Sequence, residues 1–273
     1  MELLANTEQL GLFVEKFCCS YYGIPFRTKR KEQAVHHPSI RNDVHRVLQQ
    51  LPYRIKEHLG HLNEKYDFTL EDKRTLSVKT CFKSSKVCPQ TIGQTTLYKL
   101  SEHFGTLFYD NKDFKSFVCS KPRMVLETYL RYLFCCSETL CFMFHQGMAY
   151  RIQKTSPPQL VCGNITMSQD SSSWRESTTF YLNQQSIAEC QVHRHRNCIK
   201  LRFNLEKLIQ NHMIQGIHVV SFSLVQKYKF GLRSTFYNLS QCQCLALTQK
   251  GLRCKRGGDR AGFCFQHIGG ARC

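Results

Sequence analysis

The chain lacks any long uninterrupted apolar stretch. No run approaches the ~18 residues that a membrane-spanning helix requires, so no span is expected. The opening residues, MELLANTEQLGLFVEKFCC, carry neither a basic leader nor a small-residue cleavage site, so no signal peptide is predicted. We therefore expect an intracellular, cytoplasmic protein in a reducing compartment. There the 16 cysteines pack in cores or bind metals rather than form disulfides.

Acidic residues are scarce. In 273 residues, 20 Asp and Glu stand against 38 Lys and Arg, which gives a formal net charge of +18. A surface of this kind repels itself unless it meets a polyanion, so nucleic acid is the leading class of partner. The 42% of hydrophobic and 21% of charged residues are typical of a globular protein.

Apolar periodicity predicts the order of the elements. Helices are predicted over residues 8–22, over 40–59 with a break near Pro52, from Pro89 onward, and over 122–136. Strands are predicted in a hairpin at 66–80, over TTFYLNQQSIAECQVH and CIKLRFNLEKL, and over IHVVSFSLVQKY as a buried strand. Residues 139–154 are predicted to form a strand pair or to continue the preceding helix. Residues 168–173 are predicted to form an exposed loop. The paired cysteines at 18–19 and 135–136 are predicted to be small buried hydrophobes.

The hairpin YDFTLEDKRTLSVKT turns at its charged centre. Its apolar residues alternate, so those on each strand share one face: Phe68, Leu70, Leu76 and Val78. We expect Leu70 to lie opposite Leu76, because directly opposed residues point to the same side and this register buries all four.

The same register places Asp67 opposite Lys79, with Ser77 beside them on the other face. An aspartate, a gap, a small or acidic residue, one spacer and a lysine resemble the core of the PD-(D/E)xK nucleases, above all the type II restriction endonucleases. The downstream segment KVCPQTIGQTTLYKL also looks like restriction-enzyme sequence. This resemblance implies that Asp67 binds Mg²⁺, that Lys79 orients or activates the attacking water, and that cleavage leaves a 5′-phosphate.

In this pattern Ser77 stands where the family usually has a second carboxylate. The missing metal ligand must then come from elsewhere, and Glu15 resembles the N-terminal helical glutamate of many such nucleases; a solvated helix charge is the alternative. Glu102 and Glu71 are weaker candidates. Gln90 and Gln94 would share a helical face toward the site, in contact with DNA or the attacking water, if a helix began at Pro89; an ordinary polar face is the alternative. For Asp67 and Lys79, the alternative is an exposed ion pair.

The last 32 residues change character, because glycine, cysteine and basic residues replace periodic apolar ones. The segment offers three thiolates and an imidazole for a closed structural Zn²⁺ site, with Cys242 competing for the first position: Cys244, Cys254, Cys264 and His267. Free thiols are the alternative. The pattern resembles short Cys3His knuckles of nucleic-acid proteins, and nearby basic residues favour phosphate contact: Lys250, Arg253, Lys255, Arg256 and Arg260.

The segment CQVHRHRNCIKLRF is the best candidate for base recognition. Arg196 and Asn197 at a turn could reach the major groove, where arginine prefers guanine and asparagine prefers adenine. His193, His195 and Arg202 would lie beside them; a basic hairpin that contacts only phosphates is the alternative. A further basic loop would contact the DNA backbone: Arg27, Lys29, Arg30 and Lys31.

These patterns together predict an α/β (α+β) restriction-endonuclease-like core, with a mixed central sheet flanked by helices and a small C-terminal zinc-binding module. The domains would be residues 1–240, with a catalytic core near 8–155 and recognition strands near 175–235, and residues 241–273. The expected activity is Mg²⁺-dependent, site-specific cleavage of double-stranded DNA by a homodimer. Two alternatives stay open: a repair or mobile-element nuclease of the same fold, and a non-catalytic zinc-containing nucleic-acid binding protein.

Overall fold

The structure is a computed structural model that describes residues 7–28, 38–60, 66–193, 198–225 and 227–228. All of these residues belong to one unit, Met1–Tyr228. Within these ranges no helix combines the length and the apolar composition needed to cross a membrane. The predicted domain boundary near residue 240 and the predicted zinc module lie outside the described residues, so both stay predictions.

The described unit contains six α-helices and twelve strands. The helices are α1 (Thr7–Tyr22), α2 (Pro38–Gln49), α3 (Leu97–Phe104), α4 (Asn111–Ser120), α5 (Pro122–Leu133) and α6 (Leu205–Gln210). The strands are β1 (Ile55–His58), β2 (Phe68–Leu70), β3 (Thr75–Cys81), β4 (Lys86–Val87), β5 (Gln94–Thr95), β6 (Glu138–Met143), β7 (Met148–Leu160), β8 (Ile165–Met167), β9 (Ser177–Leu182), β10 (Gln185–His193), β11 (Cys198–Asn204) and β12 (Ile214–Ser223).

The first sheet has the strand order β1-β2-β3-β6-β7-β12. β3 and β6 run parallel, whereas the other neighbouring pairs are antiparallel. α1 packs against β1 and β3, and α5 packs against β7. Leu10, Val14 and Cys18 recur every four residues along α1 and are fully buried, which explains why this segment folds as an amphipathic helix. The predicted mixed central sheet flanked by helices is confirmed.

The second sheet has the order β4-β11-β10-β9-β8, and β5 also pairs with β11. Its strands alternate cleanly: Cys190, Val192 and Leu201 are buried in one apolar cluster with residues of α5, while the residues between them face outward. The exposed loop predicted at 168–173 is confirmed, and so are the predicted strands in this region, except that the strand predicted over CIKLRFNLEKL ends at Asn204 and its last four residues belong to α6.

The register of the β2–β3 hairpin differs from the predicted one by two residues. Phe68, rather than Leu70, pairs with Leu76. The loop is shorter than expected because Lys73 adopts a positive φ of 68°, which closes a three-residue connection in which the Leu70 amide donates to Arg74 O at 2.9 Å. A shift of two residues leaves every side chain on its predicted face, so the four alternating apolar residues are all buried.

One helix prediction is confirmed only in its first part, and another is wrong. The helix expected over 40–59 ends at Gln49, and β1 follows, because Pro52 cannot continue a helix. No helix begins at Pro89: residues 90–93 form a turn, and α3 starts only after Thr96, whose side chain accepts a hydrogen bond from the Lys99 amide. The predicted shared helical face of Gln90 and Gln94 is therefore wrong as well.

β12 corrects a third expectation. Its β-branched run predicted a buried strand, but β12 is the edge strand of the first sheet, and most of its residues are half-buried or exposed. An edge strand has a partner on one side only, so apolar composition alone does not bury it.

Candidate active site

Asp67 lies at the entry of β2 and is fixed by its own backbone. Its amide donates to Leu76 O at 3.0 Å, and its carbonyl accepts from the Leu59 amide at 2.8 Å. Its carboxylate Oδ2 accepts the Ser77 hydroxyl at 3.0 Å and the Val78 amide at 2.7 Å. The aspartate therefore lies against Ser77, and the predicted position opposite Lys79 is wrong by the two-residue shift of the hairpin.

Ser77 and Lys79 project from the same face of β3, since side chains two apart on a strand point to one side. Ser77 is buried, whereas Lys79 is half-buried and pairs across the sheet with Cys141 of β6. The opposite face of β3 carries Leu76 and Val78. The hairpin thus collects an aspartate, a hydroxyl and a lysine on one side of the sheet.

Gln90 reaches this group from a tight turn. Its amide nitrogen donates to Ser77 Oγ at 3.0 Å. Thr91 has a positive φ of 64°, and a side chain on Gly93 would place its Cβ only 2.2 Å from Pro89 O, so the turn requires glycine at that position. Gln94, by contrast, is exposed on β5, where it pairs with Lys200.

Glu15 of α1 contacts a residue that the sequence did not single out. Its Oε2 lies 3.3 Å from Nε2 of His58, whose side chain is almost fully buried between Phe26 and Phe68. Gly60 makes room for this pair, because a Cβ there would lie 3.0 Å from His58 Nε2. The histidine escaped notice because its segment was taken for a helix.

Glu15 and Asp67 both affect the pKa of the same thiol, that of Cys18. Burial raises the pKa of Cys18, and the charges of Cys19, Glu15 and Asp67 raise it further. Both carboxylates therefore lie within electrostatic reach of this α1 cysteine. Among the described residues, however, no three His, Cys, Asp or Glu side chains are grouped closely enough to hold a metal ion.

The weaker candidates lie at the surface. Glu71 is exposed in the hairpin turn, 3.7 Å from Arg54, and Glu102 is exposed on α3. Arg27 is also exposed, whereas the rest of the predicted basic loop, residues 29–31, lies outside the described residues.

A second carboxylate lies on the strand beside β3. Glu138 of β6 is fully buried and binds two arginines: Arg151 at 3.0 and 2.9 Å, and Arg74 of the hairpin. Both guanidinium groups stack on Tyr53, at 5.5 and 5.4 Å from the ring centre. This cluster could not be predicted from sequence patterns, because its members come from distant segments.

Two of the predicted recognition residues, His193 and Arg202, lie on the outer face of the second sheet. Arg202 binds Glu189 at 3.2 Å, and Lys86 binds the same oxygen of Glu189 at 2.5 Å. Burial alone would raise the pKa of Glu189, but hydrogen bonds from Lys86 and Gln191 and the charge of Arg202 outweigh it and lower that pKa. His193 is half-buried beside Cys198. His195, Arg196 and Asn197 lie outside the described residues.

The thiol of Cys88 is affected by charges both from this face and from the hairpin. Burial raises the pKa of its thiol, while the charges of Lys200, Arg202 and Lys79 lower it in part. Basic residues from both sheets therefore surround one cysteine.

The predicted zinc ligands all lie outside the described residues: Cys244, Cys254, Cys264 and His267, with the competing Cys242. The zinc site and its metal therefore stay predictions.

Comparison with known proteins gives one informative similarity. No family model matches the chain, and no solved structure matches it. Over 210 residues, 74% of this chain, it is 29% identical to the type II restriction enzyme CviAII of Paramecium bursaria Chlorella virus 1, and it spans 60% of the length of that relative. The similarity supports the resemblance to restriction endonucleases, whereas the PD-(D/E)xK motif and the zinc knuckle stay predictions.

Proposed function

We propose that the chain is a Mg²⁺-dependent endonuclease that cuts double-stranded DNA at a short specific sequence, as a homodimer. The observation that carries this proposal is the group of Asp67, Ser77 and Lys79 on one sheet face, in a chain similar to a type II restriction enzyme. The net charge of +18 supports a polyanionic substrate.

The Asp67 carboxylate suits a hard cation. Its Oδ2 is held by a hydroxyl and a backbone amide, both neutral donors, so these hydrogen bonds leave the negative charge in place. Mg²⁺ prefers oxygen ligands of this kind and keeps several waters. Asp67 would hold the ion, and Glu15 is the proposed source of a further carboxylate. When bound, Mg²⁺ lowers the pKa of a water ligand and neutralises charge on the phosphate.

The neighbouring residues would then divide the remaining tasks. Lys79 would orient the attacking water and stabilise charge that develops on the phosphate, because an ammonium group is a strong donor to anionic oxygen. Ser77 would hold the Asp67 carboxylate in position while Gln90 holds Ser77. The basic outer face of the second sheet, with Lys200 and Arg202, would contact the duplex. Water would attack in line, leaving a 5′-phosphate.

Digestion of long unmethylated duplex DNA with Mg²⁺ tests the proposal. Discrete bands that vanish with a chelator, and that are lost in Asp67→Ala and Lys79→Ala, are expected. Cleavage that survives both substitutions would locate the active site elsewhere. Cutting at ends or branched structures would instead favour a repair or mobile-element nuclease. Salt-sensitive binding without cutting would favour a binding protein.

A further inference from the structure

Two neighbouring cysteines lie beside the candidate active site. Cys135 and Cys136 connect α5 to β6, and their sulfur atoms are 3.7 Å apart. Cys136 is buried as predicted, but Cys135 is only half-buried. Cys135 Sγ lies 3.5 Å from Oε1 of Gln90, the residue whose amide nitrogen donates to Ser77.

The donors in this network run in one direction. Because the Ser77 hydroxyl donates to Asp67, its lone pairs accept the amide N–H of Gln90. The Gln90 carbonyl oxygen must then face Cys135, whose S–H donates to it. Cys135 in turn accepts from Cys136. The thiol of Cys135 thus orients the amide that holds Ser77.

The surroundings of Cys135 favour the reactive form of a thiol. The hydrogen bond with Cys136 lowers the pKa of Cys135; burial opposes this effect, and the charges of Lys79 on β3 and Lys154 on β7 add to it. The same hydrogen bond, together with burial and the charge of Asp67, raises the pKa of Cys136. Cys135 therefore supplies the nucleophile, since the thiolate is the reactive species.

A cavity of about 310 Å³ lies next to this cysteine in the chain, lined by the preceding residue Phe134 and by two basic residues. Its lining includes Arg131, Lys154 and Ser156, together with Phe134, which directly precedes Cys135 in the chain. The Lys154 ammonium also donates to the Cys135 carbonyl at 2.9 Å. Two cations, a hydroxyl and an aromatic ring suit a small anionic molecule with an apolar part.

We propose that Cys135 is a modification site for small anionic disulfides, such as glutathione disulfide, and that its modification switches off the nuclease centre through Gln90. The second half of this inference rests on the proposed function. The Cys135 thiolate attacks one sulfur of the reagent, whose S–S bond breaks as a new S–S bond to Cys135 forms. Half of the reagent leaves as a thiolate with the electron pair, so Cys135 is oxidised and the leaving half is reduced. A thiolate can regain its proton and donate again to Gln90, whereas the adduct has no S–H and adds bulk, so Gln90 loses this contact until the new disulfide is reduced.

Treatment of the full-length protein with glutathione disulfide tests this inference, with adducts mapped by peptide mass spectrometry and DNA cleavage measured in the same samples. Cleavage should fall by about tenfold or more, as expected when a positioning contact is lost, and dithiothreitol should restore it. Cys135→Ser keeps a donor for Gln90, so it should cleave DNA and resist the reagent. Cys162→Ser removes an exposed cysteine elsewhere and should be inactivated like the wild type.

A second readout does not depend on nuclease activity. Gln90→Ala removes the partner of the Cys135 thiol, so the rate at which Cys135 is modified should change, while that of Cys162 should not. An unmodified Cys135, a modified protein with full cleavage, or equal inactivation of Cys135→Ser would each overturn the inference. If the untreated wild type cuts no DNA, the proposed function fails, and an unchanged modification rate in Gln90→Ala would separately disprove the coupling.

Discussion

Asp67 and Glu138 are carboxylates on neighbouring parts of one sheet, and their surroundings are opposite. Asp67 is held by the Ser77 hydroxyl and a backbone amide, whereas Glu138 is fully buried between the guanidinium groups of Arg74 and Arg151. Neutral donors orient a carboxylate without cancelling its charge. Two arginines orient it and neutralise it.

This difference separates the carboxylate that we propose as a metal ligand from one that joins parts of the fold. A metal ion gains little from a carboxylate whose charge is already balanced, and removing this carboxylate would break both of its ion pairs with arginine. Glu138 therefore serves to join the hairpin, β6 and β7. Asp67 keeps its charge available for a cation.

Asp67→Asn is the strongest test of the difference between Asp67 and Glu138. The amide preserves size but removes the charge, so cleavage should fall by about three orders of magnitude, because the carboxylate is the proposed metal ligand. Initial rates of digestion with Mg²⁺ measure this. The free energy of unfolding should change little. Glu71→Gln, in the same hairpin but exposed, is the matched control and should cleave normally; an active Asp67→Asn would remove Asp67 from the mechanism.

Glu138→Gln should show the reverse pattern. Loss of the charge leaves the partly buried Arg151 guanidinium without an anion, while Arg74 keeps its ion pair with Asp72, so the free energy of unfolding should fall by about 2 kcal/mol. Urea denaturation measures the loss. Where the variant remains folded, Mg²⁺-dependent cleavage should persist. A stable Glu138→Gln protein that cannot cut DNA would contradict the structural assignment of Glu138.

The comparison can be sharpened at the turn that presents Gln90. Gly93→Ala would bring a Cβ to 2.2 Å from Pro89 O, so the turn must shift and Gln90 must move from Ser77. Cleavage should fall by about tenfold to a hundredfold through misplacement, chiefly in kcat. Gly11→Ala is the control, because Gly11 has no positive φ and a Cβ there would make only an ordinary contact, 3.5 Å from Thr80 Oγ1. Equal kcat in both variants would show that the Gln90 contact is unimportant.

Substitution of a third carboxylate, Glu189, should have the smallest effect, a small loss of thermal stability. Its pKa is lowered in the folded state, so its contribution to stability is present above the ordinary carboxylate pKa and is lost as pH falls through the lowered value. At neutral pH, Glu189→Gln should lower Tm by about one or two degrees, since the cluster is partly exposed. Thermal melts from neutral to acidic pH should show the two curves converging. A difference that grows toward acidic pH would have the wrong sign.

The sequence predicted faces better than registers. Alternation alone placed Leu76 and Val78 on one side of β3, with Ser77 and Lys79 on the other, and the structure agrees. Alternation cannot detect a two-residue slip, because every side chain keeps its face. The slip followed from the positive φ of Lys73, which a non-glycine residue does not signal.

The partners of the site residues were harder to foresee. Gln90 does contact Ser77, but through a turn rather than the predicted helix, so Gln94 was wrongly grouped with it. His58 and Cys135 were missed as partners, because their contacts with Glu15 and Gln90 join residues 43 and 45 positions apart. Short-range periodicity carries no information about such pairs.

The parallel pairing of β3 with β6 has a consequence for folding. The β2–β3 hairpin is local and can close within microseconds, which already brings Asp67 to Ser77. The neighbours of Lys79 arrive only when β6 pairs with β3, a contact in which Ser137 bonds to Thr75 across 62 residues of chain. Such distant pairing forms slowly. We therefore expect that Asp67 reaches its final position in a newly made chain before Lys79 does. The proposed DNA cleavage would then begin only when the sheet is complete.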